Sequence, residues 1–141
     1  SLNTIHLKLS EKSLHIHVLI MNIEDARSYA LSLDCTTEDL FAENWLSYRV
    51  MGKWFMLLQL DAPEPRVAIK LPPEDGQMLR EHHEGVTAAY HMNKVHWNDL
   101  YLQKLPNEFI KEQILNSYHT VVKHLPKVLR QEIENQQKNH D

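Results

Sequence analysis

The sequence of 141 residues has one cysteine and no hydrophobic run of the length that a bilayer requires. Because Cys35 has no second cysteine to pair with, an intrachain disulfide is excluded, and we expect a reducing cytoplasm. Spanning a membrane takes about 20 consecutive apolar residues. The apolar stretch at residues 16–21 is also shorter than the ~7–15-residue core of a signal peptide. We therefore expect one cytoplasmic domain without a membrane segment.

Basic residues are too few for a general nucleic-acid binder. The chain has 15 Lys and Arg against 19 Asp and Glu, which gives a net charge of −4 with histidine neutral. Proteins that bind nucleic acid without sequence preference usually carry a basic excess, because phosphate neutralisation supplies most of their affinity. Any contact with DNA would therefore depend on a local cationic patch.

Glycine is scarce as well, and this excludes several classes of enzyme. Three glycines, widely separated in sequence, cannot form a phosphate-binding glycine-rich loop or a dinucleotide fingerprint. No serine lies in a nucleophile-elbow pattern. An enzyme would have to use His91, Lys94 and His96 as acid–base groups, with Tyr118 as a further candidate. We expect no catalytic residues and no cofactor.

Histidine is abundant, but its spacing does not favour a metal site. His82 and His83 are adjacent, so on a helix their side chains point about 100° apart. Neither a zinc-type cysteine pair nor an HExxH motif accompanies them. The acidic residues at positions 24, 25, 34, 38 and 39 lack strong periodic clustering, and helix capping and solvation explain them. We expect no metal ligands.

The apolar pattern predicts a single α+β domain over residues 21–141. Residues 1–20 alternate polar and apolar positions around a polar tetrad and are interpreted as an appended β-hairpin. Beyond them, helices are predicted at residues 22–34, 73–85, 106–125 and 127–137, strands at 45–51, 53–60, 67–71 and 97–102, and a loop at 36–44. Contiguous strands between terminal helices indicate an antiparallel sheet rather than βαβ units.

The densest group of hydrogen-bonding and aromatic side chains lies at residues 90–97, which we call the signature loop. Its sequence is Tyr-His-Met-Asn-Lys-Val-His-Trp. Asn93, Lys94 and a histidine could bind phosphate or another anion, while Tyr90 or Trp97 stacks on a base or ring. Alternatively, the aromatic residues belong to the core and the polar residues satisfy backbone groups in an irregular loop. We favour the core interpretation for the aromatic residues.

The signature loop, preceded by Gly85-Val86, resembles the hallmark of the MmcQ/YjbR family. Further matching segments extend from about residue 21 to residue 130. They are Ala30-Leu31-Ser32-Leu33, Val50-Met51-Gly52-Lys53, Val67-Ala68-Ile69-Lys70-Leu71, Ser117-Tyr118 and Leu125-Pro126-Lys127. The resemblance implies a CyaY-like (double-wing, frataxin-like) fold, an antiparallel sheet flanked by N- and C-terminal helices, and a DNA-binding role.

Three segments depart from the pattern of that family. Asp34-Cys35 stands where Pro-Gly is usual, Ala42-Glu43-Asn44 interrupts a Phe-rich turn, and Thr87-Ala88-Ala89 replaces a segment that usually contains Pro or Gly. All three leave the signature loop intact, but they weaken any function that depends on the loop after the first helix.

These observations predict a non-enzymatic protein that binds DNA or another anionic ligand through the signature loop. The alternative is a small-molecule binder or enzyme that uses the same loop as a pocket. A role in binding a partner protein is a third possibility without a direct sequence marker. The predicted contact residues are His91, Asn93, Lys94, His96, Trp97, Tyr118, Lys123 and Lys127.

Overall fold

A computed structural model describes residues 21–140 of the chain. The hairpin predicted within residues 1–20 lies outside the described residues. The helices are α1 (Ile23–Ser32), α2 (Pro73–His82), α3 (Asn107–Lys123) and α4 (Lys127–His140). The strands are β1 (Thr36–Ala42), β2 (Trp45–Val50), β3 (Lys53–Gln59), β4 (Arg66–Lys70), β5 (Val86–Ala88) and β6 (Trp97–Tyr101). The predicted α+β class is confirmed.

The strands form one antiparallel sheet in the order β1-β2-β3-β4-β6-β5. A tight turn joins β2 to β3, and in it Met51 and Gly52 have positive φ angles of 49° and 84°. Such two-residue turns match the twist of the strands that they join. The hairpin predicted around Gly52 is therefore present, and Met51 adopts a backbone conformation that favours glycine.

All four helices pack on one face of the sheet. The main core contains the predicted α3 stripe of Ile110, Ile114, Tyr118, Val121 and Leu125, together with Ala26 and Ala30 of α1 and Ile133 of α4. Leu79 of α2 packs against its edge. Pro126 separates α3 from α4, because proline cannot continue the hydrogen-bonding pattern of the preceding helix.

The loop predicted at residues 36–44 is wrong over most of its length, because Thr36–Ala42 is the edge strand β1. Its acids and turn-forming residues are tolerated since this strand pairs only with β2 in the described sheet and is largely exposed. Glu38 accepts hydrogen bonds from Arg27 at 2.8 Å and from the Tyr48 hydroxyl at 2.5 Å, which ties β1 to α1 and β2. Because β1 is held by such pairs with its neighbours and is largely exposed, it needs no alternation of apolar residues of its own.

Cys35, at one of the departures from the family pattern, has a φ angle of 62°. This is the left-handed region that glycine adopts without steric cost. The turn after α1 thus keeps a glycine-like backbone although the residue is cysteine. Cys35 Sγ donates a hydrogen bond to Gln136 Oε1 of α4, and burial raises the pKa of its thiol, which disfavours the nucleophilic thiolate.

Helix α2 approaches β6 very closely, and Gly76 makes this possible. A side-chain carbon at this position would lie 2.8 Å from Asn98 Nδ2. Arg80, one turn later, donates a hydrogen bond to Asn98 Oδ1. The glycine is unfavourable for a helix interior, but it lets the helix backbone settle against a buried amide.

Ser117 of α3 joins the helix to two strands. Its fully buried hydroxyl donates to the Phe55 carbonyl oxygen at 2.6 Å and accepts from the Lys70 backbone N–H at 2.8 Å. We expect Ser117→Ala to lower the free energy of unfolding by about 3 kcal/mol, because it leaves two enclosed backbone groups unpaired. Urea unfolding measures this loss, and exposed Ser28→Ala on α1 should change stability by no more than about 0.5 kcal/mol. Equal stability of the two variants would contradict this role of Ser117.

The Glu38 contacts predict a pH dependence of stability. Hydrogen bonds from Arg27, first, and Tyr48 hold the pKa of Glu38 below its usual 4.5. The carboxylate therefore stabilises the fold above the unfolded-state pKa, and this contribution is lost as the pH falls through the lower folded-state value. Glu38→Gln should cost about 2 kcal/mol near pH 7 and clearly less near pH 3 in urea unfolding. A cost that does not change with pH would contradict the ionic origin, and Glu112→Gln on the exposed side of α3 is the control.

Candidate functional site

The sheet face opposite the helices carries a second, aromatic cluster. Leu57 of β3, Ala68 of β4, Ala89 and Trp97 are buried in it, with Trp45, Trp54 and Met92 packed at its edge. The ring of Phe41 extends the cluster, with its centroid 5.9 Å from that of Trp45 and 5.1 Å from that of Trp54. Strands β1, β2, β3 and β6 thus present large rings on the face that the helices leave open.

The signature loop connects β5 to β6 and covers one end of this face. Trp97 N–H donates to the Asn93 carbonyl oxygen at 2.8 Å, and His96 N–H to the same oxygen at 3.3 Å. Asn93 Oδ1 accepts from the backbone N–H of Val95 at 2.9 Å. Leu71 N–H in turn donates to the His96 carbonyl oxygen at 2.9 Å. Asn93 therefore shapes the loop, and its side-chain NH₂ group is the part that can still donate to a ligand.

The core interpretation is correct for Trp97 and wrong for Tyr90. Trp97 is only 7% exposed and packs in the aromatic cluster, whereas Tyr90 is 74% exposed. Lys94 is also exposed, with Nζ 5.8 Å from the centroid of the Tyr90 ring. His91 is exposed too, with its ring edge-on to Trp45 at 5.8 Å and to Tyr90 at 4.8 Å. The outer surface of the loop therefore combines a cation, a phenol and an imidazole.

Asp99 of β6 anchors the loop, although sequence reasoning did not single it out. Its carboxylate accepts a hydrogen bond from the backbone N–H of Tyr90 and lies 3.8 Å from Arg66 Nε. Burial nevertheless raises the pKa of Asp99, outweighing the opposing effects of Arg66, Tyr90 and His91. Alternation along β6 placed Asp99 on the same face as Trp97, and this was the available sequence signal.

Three predicted contact residues lie on the helices rather than at the loop. Tyr118 is buried in the main core, where its hydroxyl donates to the Asp34 carbonyl oxygen at 2.7 Å. Burial raises its pKa to about 12, so the hydroxyl stays protonated at neutral pH. Lys123 ends α3 beside a depression that also contains Asp75 and His119, and Lys127 begins α4. The structure therefore brings His91, Asn93, Lys94, His96 and Trp97 together without these three residues.

Comparison with known families identifies the chain. The model of the YjbR family matches residues 31–120, which include the signature loop, the whole sheet from β1 to β6 and most of α3. The chain belongs to the YjbR family.

Two curated relatives are similar over a shorter region. They are the proteins named "Uncharacterized protein YjbR" of Escherichia coli K12 and of Escherichia coli O157:H7. Each is 37% identical to this chain over 67 residues, which are 47% of this chain and 57% of the relative. The match thus spans little more than half the length of these relatives.

Solved structures support the same fold. Protein DR2400 of Deinococcus radiodurans, with the domain DUF419, superposes with a TM-score of 0.74 and 26% identity, over 82% of this chain and 89% of that protein. A protein from Pseudomonas syringae gives a TM-score of 0.59 and 26% identity, over 69% of this chain and 96% of its own. The sheet and helices described above are thus shared with YjbR-like structures.

Two further properties concern residues 21–140 alone. Every helix there falls short of the length and apolar character that a bilayer crossing needs. Within the same residues, no three His, Cys, Asp or Glu side chains are grouped so that they could hold a metal ion.

Replacing Asn93 tests whether the hydrogen bond to its side chain holds the signature loop in shape. Asn93→Ala removes the acceptor for Val95 N–H, and we expect a loss of about 1 kcal/mol in unfolding free energy and faster hydrogen exchange at Val95. Asn93→Asp keeps the acceptor and should protect the Val95 amide as the native residue does. Hydrogen exchange followed by NMR measures both. Fast exchange at Val95 in the aspartate variant would show that the Oδ1 contact does not hold the loop.

Proposed function

We propose that this YjbR-family protein binds DNA through the signature loop, with an unpaired base stacked on Tyr90 and a backbone phosphate bound by Lys94. The observation that carries the proposal is the exposed pair of Tyr90 and Lys94, whose ring centroid and Nζ lie 5.8 Å apart. Single-stranded nucleic acid is commonly bound by aromatic platforms beside cationic groups. The proposed role is binding, without catalysis.

Stacking would supply much of the affinity, because the charge available at the loop is small. The chain has a net charge of −4, and Lys94 is the cation of the signature loop at neutral pH with histidine neutral. Among the ion pairs within residues 21–140, Lys94 has no carboxylate partner. Its ammonium group therefore remains available to a phosphate, and His91 and the Asn93 amide lie on the same loop as further donors.

The exposed position of Tyr90 favours single strands over duplexes. A base can stack on a free ring only when its own face is accessible, whereas duplex bases are stacked on each other. Extruding a base from a duplex costs a few kcal/mol. We therefore expect single-stranded DNA to bind more tightly than a duplex of the same sequence.

A small-anion binder that uses the loop as a pocket is the second candidate. It would need a pocket lined by His91, Lys94 and Trp97, whereas the cavity that Trp97 lines contains neither His91 nor Lys94. The exposed outer surface formed by Tyr90 and Lys94 favours DNA instead. The two candidates therefore differ in the residues on which binding would depend.

Tyr90→Ala and Lys94→Ala should weaken binding of single-stranded DNA in different ways. Loss of a stacked base costs about 1–3 kcal/mol, so Tyr90→Ala should weaken binding about 5- to 150-fold. Loss of one phosphate contact should reduce the slope of log K against log salt by about 0.7 in the Lys94→Ala variant. Fluorescence anisotropy of a labelled oligodeoxynucleotide across a salt series measures both effects.

The matched control is Lys138→Ala, which removes an exposed cation from α4 on the helix side of the molecule. It should leave both the affinity and the salt slope close to those of the unmodified protein. Absence of binding at low salt, or an equal loss in the Lys94→Ala and Lys138→Ala variants, would overturn the proposal.

A further inference from the structure

A cavity of about 470 Å³ lies at the end of the sheet where α3 stops. Its position is set by the β2–β3 turn on one side and by the junction of α3 with α4 on the other. The volume lies within the range of about 300–1,000 Å³ that is typical of small-molecule sites.

The charged side chains that line this cavity are all cationic. Arg49, Lys53 and Lys70 come from three different points of the sheet, and the lining contains no carboxylate. Within residues 21–140, neither Lys53 nor Lys70 forms an ion pair. This concentration of positive charge contrasts with the net charge of −4 of the whole chain. Asp39 Oδ2 lies 4.0 Å from Arg49 Nε, so Lys53 and Lys70 are the cations of the lining whose charge an anion would offset most.

Two side chains of the lining each carry a buried N–H group without a partner in the described part of the chain. Arg49 Nε and Trp54 Nε1 donate no hydrogen bond to any acceptor within residues 21–140. This distance of 4.0 Å between Asp39 Oδ2 and Arg49 Nε fits an ion pair but is too long for a hydrogen bond. Unpaired buried donors are costly. Both donors belong to neighbouring side chains, because the Arg49 guanidinium lies 5.5 Å from the Trp54 ring centroid.

The remaining walls of the cavity suit a flat, partly apolar group. Trp54 and Trp97 line it from the sheet, and Val121, Leu125 and Pro126 line it from the helix junction. His124 is oriented by its Nδ1, which lies 2.8 Å from the Thr120 carbonyl oxygen and donates to it, leaving Nε2 for another partner.

The helix dipoles do not decide whether the cavity prefers an anion or a cation. The C-terminal end of α3 is partly negative, and the N-terminal end of α4, which begins just after Pro126, is partly positive. Because both ends meet at the cavity, their effects offset each other. The preference for an anion therefore comes from the three cationic side chains.

We propose that this cavity binds a small organic anion that joins a phosphate group to a planar ring, as a nucleoside monophosphate does. Lys53, Lys70 and Arg49 bind the phosphate group, and Trp54 or Trp97 packs against the ring. The site is independent of the DNA-binding proposal, because it uses neither Tyr90 nor Lys94.

The test uses the full chain with AMP as the probe, and inorganic phosphate and adenosine as its two halves. Binding is followed by tryptophan fluorescence and by isothermal titration calorimetry. AMP should bind more tightly than either half, because each half lacks one of the two recognition elements. Lys70→Ala and Lys53→Ala should each weaken AMP binding about tenfold, as expected for a lost charge-assisted contact.

Lys138→Ala and Lys94→Ala are the controls and should leave AMP binding unchanged. Conversely, Lys70→Ala should leave the binding of single-stranded DNA unchanged, so the two proposals fail separately. Absence of AMP binding at millimolar concentration would overturn the assignment. It would also be overturned if inorganic phosphate bound as well as AMP, or if a folded Lys70→Ala variant bound AMP as tightly as the native chain. Circular dichroism verifies the fold of each variant.

Discussion

The two hydrogen bonds of the Ser117 hydroxyl fix the position of α3 on the sheet, and the rest of the structure depends on that position. Strands β3 and β4 pair from Met56–Ile69 to Leu58–Val67, and the ladder stops before Phe55 and Lys70. Ser117 satisfies one backbone group of each of these two residues. Because buried backbone groups need partners, α3 is held at one position along the two strands.

This position also determines what lies on the other face of the sheet. Side chains alternate along a strand, so fixing Phe55 toward the helices directs Trp54 to the opposite face. Fixing the Lys70 backbone likewise places its side chain at the cavity that it lines together with Arg49 and Lys53. The Phe55 and Tyr118 rings pack edge-to-face at 5.4 Å on the helix side. One buried hydrogen-bonded side chain thus connects the core with the surface where ligands are proposed to bind.

The signature loop has one surface packed on the sheet and one surface exposed to solvent. Its inner side chains, Met92 and Trp97, complete the aromatic cluster that buries the open face of the sheet. Its outer side chains, Tyr90 and Lys94, are exposed and contact each other. This division lets the same eight residues complete the aromatic cluster with one surface while the other surface stays exposed for the proposed binding. It also means that replacing an inner residue would disturb the fold, whereas replacing an outer residue tests recognition.

Patterns of local origin predicted much of this fold. The period of apolar residues predicted α3, and Gly52 between two strand-like runs predicted the central hairpin. Strand β1 was missed because it is a largely exposed edge strand, tied to the neighbouring α1 and β2 by the Glu38 contacts with Arg27 and Tyr48. The short strand β5 was missed because three residues carry too little pattern. At the site, Tyr118 was predicted as a contact residue, but the packing of α3 shows that its hydroxyl is already bonded to the Asp34 carbonyl oxygen.

The most direct test of the account is an NMR titration of the full chain, in which backbone amide shifts are followed with single-stranded DNA and then, separately, with AMP. We expect DNA to shift the amides of residues 90–96 and AMP to shift those around Lys53, Lys70 and His124. The two sets of shifted amides would then show that DNA and AMP bind neighbouring but distinct surfaces. Shifts centred on α1 or on the outer side of α4 for both ligands would contradict the account.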